Sequence, residues 1–246
     1  MTLLPNFSRQ SEPDHVSRWR PGLGAMVRHS EIFASADEAI GAGAALALAL
    51  DQANREHEGR PWLWVQDKAA RRLGGRPYRP GLPSELRHRL IHVAANSPED
   101  ALFALEEGLR CRDLAFVVGE IAGNPRALGF TASRRLSLAA EKHGIALWLV
   151  RLDAARDLGS ARMRWEVRAA PSNRPRWNTA APGMASWEAE LVRAHPWQPG
   201  RWVLVEGEGE GEGEGEGEGG LTAGASTGSA RAGIGEETEF HNVRSA

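Results

Sequence analysis

Two runs of apolar residues, Leu114-Ala115-Phe116-Val117-Val118 and Ile145-Ala146-Leu147-Trp148-Leu149-Val150, show no alternation with polar residues. A strand with one wet face alternates, whereas a strand that stays apolar is covered on both sides. Helical patterns separate the apolar runs. The chain is therefore predicted to be α/β, with a buried, mostly parallel sheet and helices on both faces.

The remaining elements follow from local signals. Residues 31–34 read as a strand, followed by a helix over 36–57 with Asp37 and Glu38 in its first turn, where acids complement the helix dipole. Strands are predicted at 61–65 and 90–93, with a loop dense in Gly, Pro and Arg at 74–83. Ser97 caps a helix that runs to Arg110, with Pro98 at its first position. A further helix over 131–143 stops at Gly144. After Arg156 the texture changes. Residues 163–168 and 187–193 alternate apolar with charged, and 202–205 is a short apolar run. With no helix between them, these predict a small antiparallel sheet, appended to the main sheet or extending it. The expected organisation is a loosely ordered lead-in over 1–25, an α/β core over 26–155, antiparallel strands over 156–206 and a disordered acidic tail over 207–246. The tail opens on a strict Glu-Gly alternation, which has no apolar face to bury.

Composition narrows the function classes. The single cysteine, Cys111, excludes an internal disulfide and suits a reducing, cytoplasmic setting, where it is expected to pack as a small apolar residue. The longest apolar stretch, 42–50, is far short of the roughly 18 to 20 residues that span a bilayer, so no membrane partner is expected. Of the 30 basic residues only Lys68 and Lys142 are lysines. The net charge of -2 divides unevenly: from Glu206 onward ten Glu face two Arg, leaving about +6 on residues 1–205. An acidic tail on a mildly basic body concerns nucleic acid in some proteins, but this excess is too small to establish it.

Residues 29–54 set a short strand before a small-residue loop and an Ala/Leu-rich helix, the place where nucleoside triphosphatases build a phosphate cradle. That cradle needs backbone amides, a Lys and a hydroxyl for magnesium. The segment has no Lys, and the chain has no Gly-Lys-Ser/Thr triplet. Asp37 and Glu38 would repel phosphate and satisfy the same amides. Gly41-Ala42-Gly43 fits the start of a dinucleotide fingerprint, with Leu46 at its third glycine position.

The strings DLAFVVGEI and GFTASRRLSLAAEKHGIALWLVRL resemble the central part of the RecA family. The helix NSPEDALFALEEGLR precedes them, HSEIFA opens the region and PGRWVLVE ends it. Over roughly residues 26–206 the pattern is similar to the ImuA family, RecA-like accessory proteins encoded with bacterial mutagenesis cassettes. The resemblance implies a metal-binding carboxylate at the end of 114–118, where this chain has Gly119, with Glu120 one residue later and pointing the other way in a strand. It implies a catalytic Glu after the Trp62 strand, where the chain reads Gln66-Asp67-Lys68. No catalytic, cofactor-binding or metal-binding residue is therefore assigned, and no cofactor is expected. The implied function is non-catalytic: an accessory role in SOS-induced translesion synthesis through contact with a Y-family-like polymerase subunit (ImuB), and also with RecA and the error-prone replicative-type polymerase. An active RecA-type ATPase and a division inhibitor of the SulA kind are the alternatives.

Other candidates are weighed against plainer readings. His88 and His92 are four apart, but a strand at 90–93 breaks the helical face that zinc would need. Arg126, Arg134 and Arg135 fall where the RecA fold contacts DNA, or simply on a solvated helix face. Five tryptophans crowd the C-terminal part of the chain up to residue 206. Trp187, Trp197, Trp202 and Leu204 there form either a compact core or a partner surface.

Overall fold

The two unbroken apolar runs lie side by side in the middle of one sheet. The computed structural model describes residues 27–53, 59–172, 178, 180–195, 197–208 and 219–225, so the lead-in 1–25 lies outside the described residues. Among them are nine strands: β1 (His29–Ala34), β2 (Trp62–Gln66), β3 (Leu90–Ala94), β4 (Phe116–Ala122), β5 (Ala146–Leu152), β6 (Met163–Ala169), β7 (Ser186–Arg193), β8 (Gly200–Glu208) and β9 (Gly219–Ala225). The helices are α1 (Gly41–Ala53), α2 (Lys68–Gly74), α3 (Ser84–Arg87), α4 (Pro98–Arg110) and α5 (Phe130–His143). The sheet order is β3-β2-β4-β5-β1-β6-β7-β8-β9. From β3 to β6 neighbours are parallel; from β6 to β9 they are antiparallel.

Each face has its own core, as the unbroken apolar strands require. On one face Trp62, Trp64, Phe116, Val118, Trp148 and Val150 meet the small residues of α1, including Ala44, Ala45 and Ala49. On the other, Leu63, Val117, Leu147 and Leu149 meet Leu105 and Leu109 of α4 and Leu136 of α5. The cap of α4 is as the sequence predicts, with Ser97 Oγ accepting the Asp100 N–H at 3.1 Å. Gly144 ends α5 at φ 74°, a left-handed conformation that costs glycine nothing.

Three expectations are corrected. The helix predicted over 36–57 starts at Gly41; residues 36–39 form a turn with Ala39 at φ 52°, so Asp37 and Glu38 precede the helix. Within the loop predicted at 74–83, Arg79–Gly81 forms a single 3-10 turn, and the unpredicted helix α2 reaches Gly74. The strand over 163–168 pairs antiparallel with β7, as expected, and on its other side lies parallel to β1, because residues 153–162 return along the α5 face. Small residues allow this: a Cβ on Gly159 would meet the Glu31 carboxylate at 3.0 Å. The extended crossover does the work usually given to a helix. The third correction concerns the tail. Residues 207–208 belong to β8, and 219–225 form β9, paired antiparallel to it. The C-terminal strands thus continue the main sheet. Among the described residues no helix is long and apolar enough to cross a membrane.

Candidate functional site

In open parallel sheets, ligands bind in the crevice beyond the carboxyl ends of the strands. Here a cleft of about 500 Å³ opens beyond β1 and β6, lined by Ser35, Glu38, Asp153, Arg156, Glu166 and Arg168 among others. Its floor is a reciprocal clamp between β1 and β5. The Asp153 N–H donates to the Ala34 carbonyl at 3.1 Å, and Asp153 Oδ1 accepts the Ala36 N–H at 2.9 Å. Asp153 does this at φ 49°, a conformation that Asp tolerates. Glu38 Oε2 accepts the Ala169 N–H at the end of β6 at 2.7 Å. Glu38 therefore does not cap α1, as the sequence suggested; it ties the loop to β6, while Asp153 ties it to β5. Glu166 holds both arginines of the cleft, Arg156 at 3.1 Å and Arg168 at 3.0 Å. A phosphate entering here would meet the carboxylates of Glu38 and Asp153, and no lysine.

The second cluster sits at the ends of β2, β3 and β4. β4 extends past the predicted 114–118, so Glu120 lies inside the strand on the α1 face, level with Gln66. Gln66 Nε2 donates to Glu120 Oε2 at 2.7 Å and to the Gly75 carbonyl at 2.9 Å, while Gln66 Oε1 faces His92 Nε2 at 3.0 Å. Burial pushes the Glu120 carboxyl up to about 7. The neighbouring Asp67 adds to this, and the Gln66 hydrogen bond opposes it. The Trp64 indole lies close enough to favour the carboxylate, short of hydrogen-bond geometry. Asp67 caps α2 through the Ala70 N–H at 2.6 Å, and its burial also raises its pKa. The position matched to a metal carboxylate, Gly119, faces Leu105 and Leu149 across the other side of β4. With Gln66 spanning the cluster, Glu120 and Asp67 are held by neutral donors and a helix cap.

A third network lies between β1, β5 and β6, beneath the extended crossover. Glu31 Oε2 accepts the Arg164 Nε–H at 2.7 Å, and Arg151 lies 4.0 Å from the other oxygen. Arg151 also donates to Asn124 Oδ1 at 2.8 Å and to the Gly123 carbonyl at 3.2 Å. Both guanidiniums lie over the Phe33 ring, Arg164 at 4.8 Å and Arg151 at 5.7 Å. Beside them His29 Nδ1 contacts Ser137 Oγ at 2.7 Å, and Ser160 joins Ser137 to Ser133. Burial, aided by the Arg164 charge, lowers the His29 pKa to about 3. The sequence reading missed this network. Its signal was faint: only Arg151 is a lone charge in an otherwise apolar strand, whereas β1 and β6 carry other polar residues.

The sequence candidates do not converge on one place. Trp187, Trp197, Trp202 and Leu204 are all buried, within the core cluster beneath α1, so their exposed area is too small to carry a partner surface. Arg126 is exposed in the loop between β4 and α5, and Arg134 is exposed on α5. Arg135 is bound to Glu106 of α4, through Nε at 2.9 Å and through Nη2. Cys111 ends α4 with its side chain exposed, not packed as expected, because the chain turns outward at the helix C-cap. His88 is exposed after α3 while His92 turns to Gln66, so the pair shares no face. Among the described residues no group of three His, Cys, Asp or Glu side chains gathers as a metal site.

No protein-family model matches this sequence, and no curated protein matches it.

Proposed function

We propose that this chain is a RecA-like accessory protein of SOS-induced, error-prone translesion synthesis, acting by joining proteins and not by turning over ATP. The observation that carries the non-catalytic part is the clamp at the end of β1. Where a phosphate cradle presents free amides and a lysine, Asp153 takes the Ala36 N–H and Glu38 ties the loop to β6. The RecA-like part is supported by two adjacent apolar strands, β4 and β5, with α5 behind them and β1 alongside. The partners come from the resemblance alone: a Y-family-like polymerase subunit first, RecA and the error-prone replicative-type polymerase second. With Trp187, Trp197 and Trp202 buried, exposed apolar side chains for such contacts remain on the α4–α5 side, where Phe103 is 68%, Phe130 50% and Leu138 53% exposed.

Two measurements test the proposal. ATP turnover by the purified chain, with and without single-stranded DNA, is expected at background. Hydrolysis that disappears in Glu120→Gln would sink the non-catalytic reading. Capture of the polymerase-like subunit from a co-expressed pair is expected with wild type and reduced by Phe103→Asp. Capture of the division protein FtsZ instead would move the chain to the SulA kind.

A further inference from the structure

The basic excess of the body is concentrated in one place. Residues 60–92 hold eight Lys and Arg against two acids, Asp67 and Glu85, a surplus equal to the whole +6 of residues 1–205. This stretch builds α2, the 3-10 turn and α3, which connect β2 to the edge strand β3. Arg79 donates to the Leu90 carbonyl at 3.2 Å, at one end of β3, and Arg71 donates to the Ala95 carbonyl at 3.3 Å, just past the other. Arg76, Arg71 and Arg79 all add positive potential at His92, in the middle of the strand. Arg71 and Arg79 thus bracket the edge strand over about 16 Å at the usual rise per residue. Lys68 and Arg72 extend the stripe along α2, both exposed, and Tyr78 stands 74% exposed beside it.

Many arginines elsewhere are paired with an acid, although among the described residues Arg112, Arg126, Arg134 and Arg193 are not. Arg110, Arg135, Arg151, Arg156, Arg162, Arg164, Arg168 and Arg201 each lie within ion-pair distance of a carboxylate. Among the described residues, none of Lys68, Arg71, Arg72, Arg76 and Arg79 does. Gathered like charges without counter-ions repel, and they persist where a polyanion neutralises them. An exposed aromatic ring among phosphate-binding cations is the usual platform for an unpaired base.

We propose that the β3 edge, from Arg71 to Arg79, is a binding surface for single-stranded nucleic acid, with the cations on the phosphates and Tyr78 stacking on a base. It lies on a different part of the fold from Arg126, Arg134 and Arg135. It rests on the charge distribution and not on the accessory role proposed above.

The test is fluorescence anisotropy of a labelled oligo(dT) titrated with the full chain over a series of salt concentrations. Wild type is expected to bind with a strong salt dependence. In Arg72→Ala and Arg76→Ala, neither of which makes a hydrogen bond among the described residues, the log–log slope should fall by about 0.7 for each phosphate left without its cation. Tyr78→Ala should weaken binding about tenfold while leaving that slope unchanged. Arg201→Ala, on β8, is the control and should bind as wild type does. Circular dichroism confirms that each variant is folded. Equal binding by wild type and the Arg72/Arg76 double variant would overturn the proposal. So would a failure of oligo(dT) to bind while a poly-Glu peptide binds and is released by the same double variant, since that assigns the edge to an acidic protein.

Discussion

Glu31 on β1 and Arg164 on β6 stand opposite each other in the parallel ladder, and the carboxylate takes the Arg164 Nε–H at 2.7 Å. Both are shut away from solvent, and Arg151 shares the carboxylate. The pair fastens the C-terminal strands to the parallel half of the sheet. Removing one partner from a buried pair leaves an uncompensated charge, which costs about 3–5 kcal/mol. Glu31→Gln keeps the shape and leaves the Arg164 guanidinium without its carboxylate, so urea denaturation should show a loss of that order. Glu31→Met with Arg164→Met should lose less than the single change.

Two buried groups give stability opposite pH slopes. The folded pKa of His29 is lowered from 6.5 to about 3, so below pH 6.5 the unfolded chain holds a proton the folded chain lacks, and stability falls as the pH drops to about 3. The folded pKa of Glu120 is raised from 4.5 to about 7, so the folded chain holds the extra proton, and stability falls as the pH rises through that window. The slopes offset each other between about pH 4.5 and 6.5, where a plateau is expected in thermal unfolding. Glu120→Gln should remove the decline near pH 7 and stabilise the protein above it by about 1–3 kcal/mol. A decline that persists in that variant would refute the assignment.

Gly119 should not tolerate a side chain. A Cβ there would lie 2.9 Å from Leu105 Cδ2 and 3.0 Å from Leu149 Cδ1, inside the α4 core. Gly119→Ala should cost about 1–3 kcal/mol through overpacking, and Gly119→Asp more, since it also buries a charge. Chemical denaturation of both variants checks the order.

Asp153 is expected to be structural. Asp153→Ala removes the acceptor of the Ala36 N–H and should lower stability by about 1 kcal/mol. ATP turnover should stay at background in Asp153→Ala, and a rise in turnover would mean that the clamp masks a working site.

The β9 strand shields the outer backbone of β8. A chain ending at Glu208 leaves that edge bare, and bare edges recruit other chains. It should aggregate faster than the full chain by light scattering. In the full chain, β8 amides on the β9 side should be protected from hydrogen exchange.

What could be read from the sequence was whatever rests on covered strands and local caps. The runs around Phe116 and Trp148 announced central strands because both faces must be apolar there. Ser97 and Gly144 announced helix ends because a cap is a local matter. The start of α1 was misplaced because the turn through Ala39 is imposed from outside, by Asp153 and Glu38 holding the loop. β9 left no mark, because its Gly- and Ala-rich sequence has little strand preference and its order comes from pairing with β8. The site was half legible. The lack of lysine in residues 29–54 and the Gln66-Asp67 pair were visible in the residues, but the register that sets Gln66 against Glu120 and His92 required the fold. The direction of β6 depended on an extended crossover that no periodicity announces.

That crossover has a consequence for how the chain is made. β1 leaves the ribosome early, yet both of its neighbours are encoded late, at residues 146–152 and 163–169. Until they emerge, an apolar strand that also carries Glu31 has no ladder to join. Long-range pairing of this sort slows folding and prolongs exposure of sticky surface. Translation must pass residue 169 before the buried Glu31 meets Arg164, so truncated products ending before β6 are the forms of this protein most dependent on chaperones.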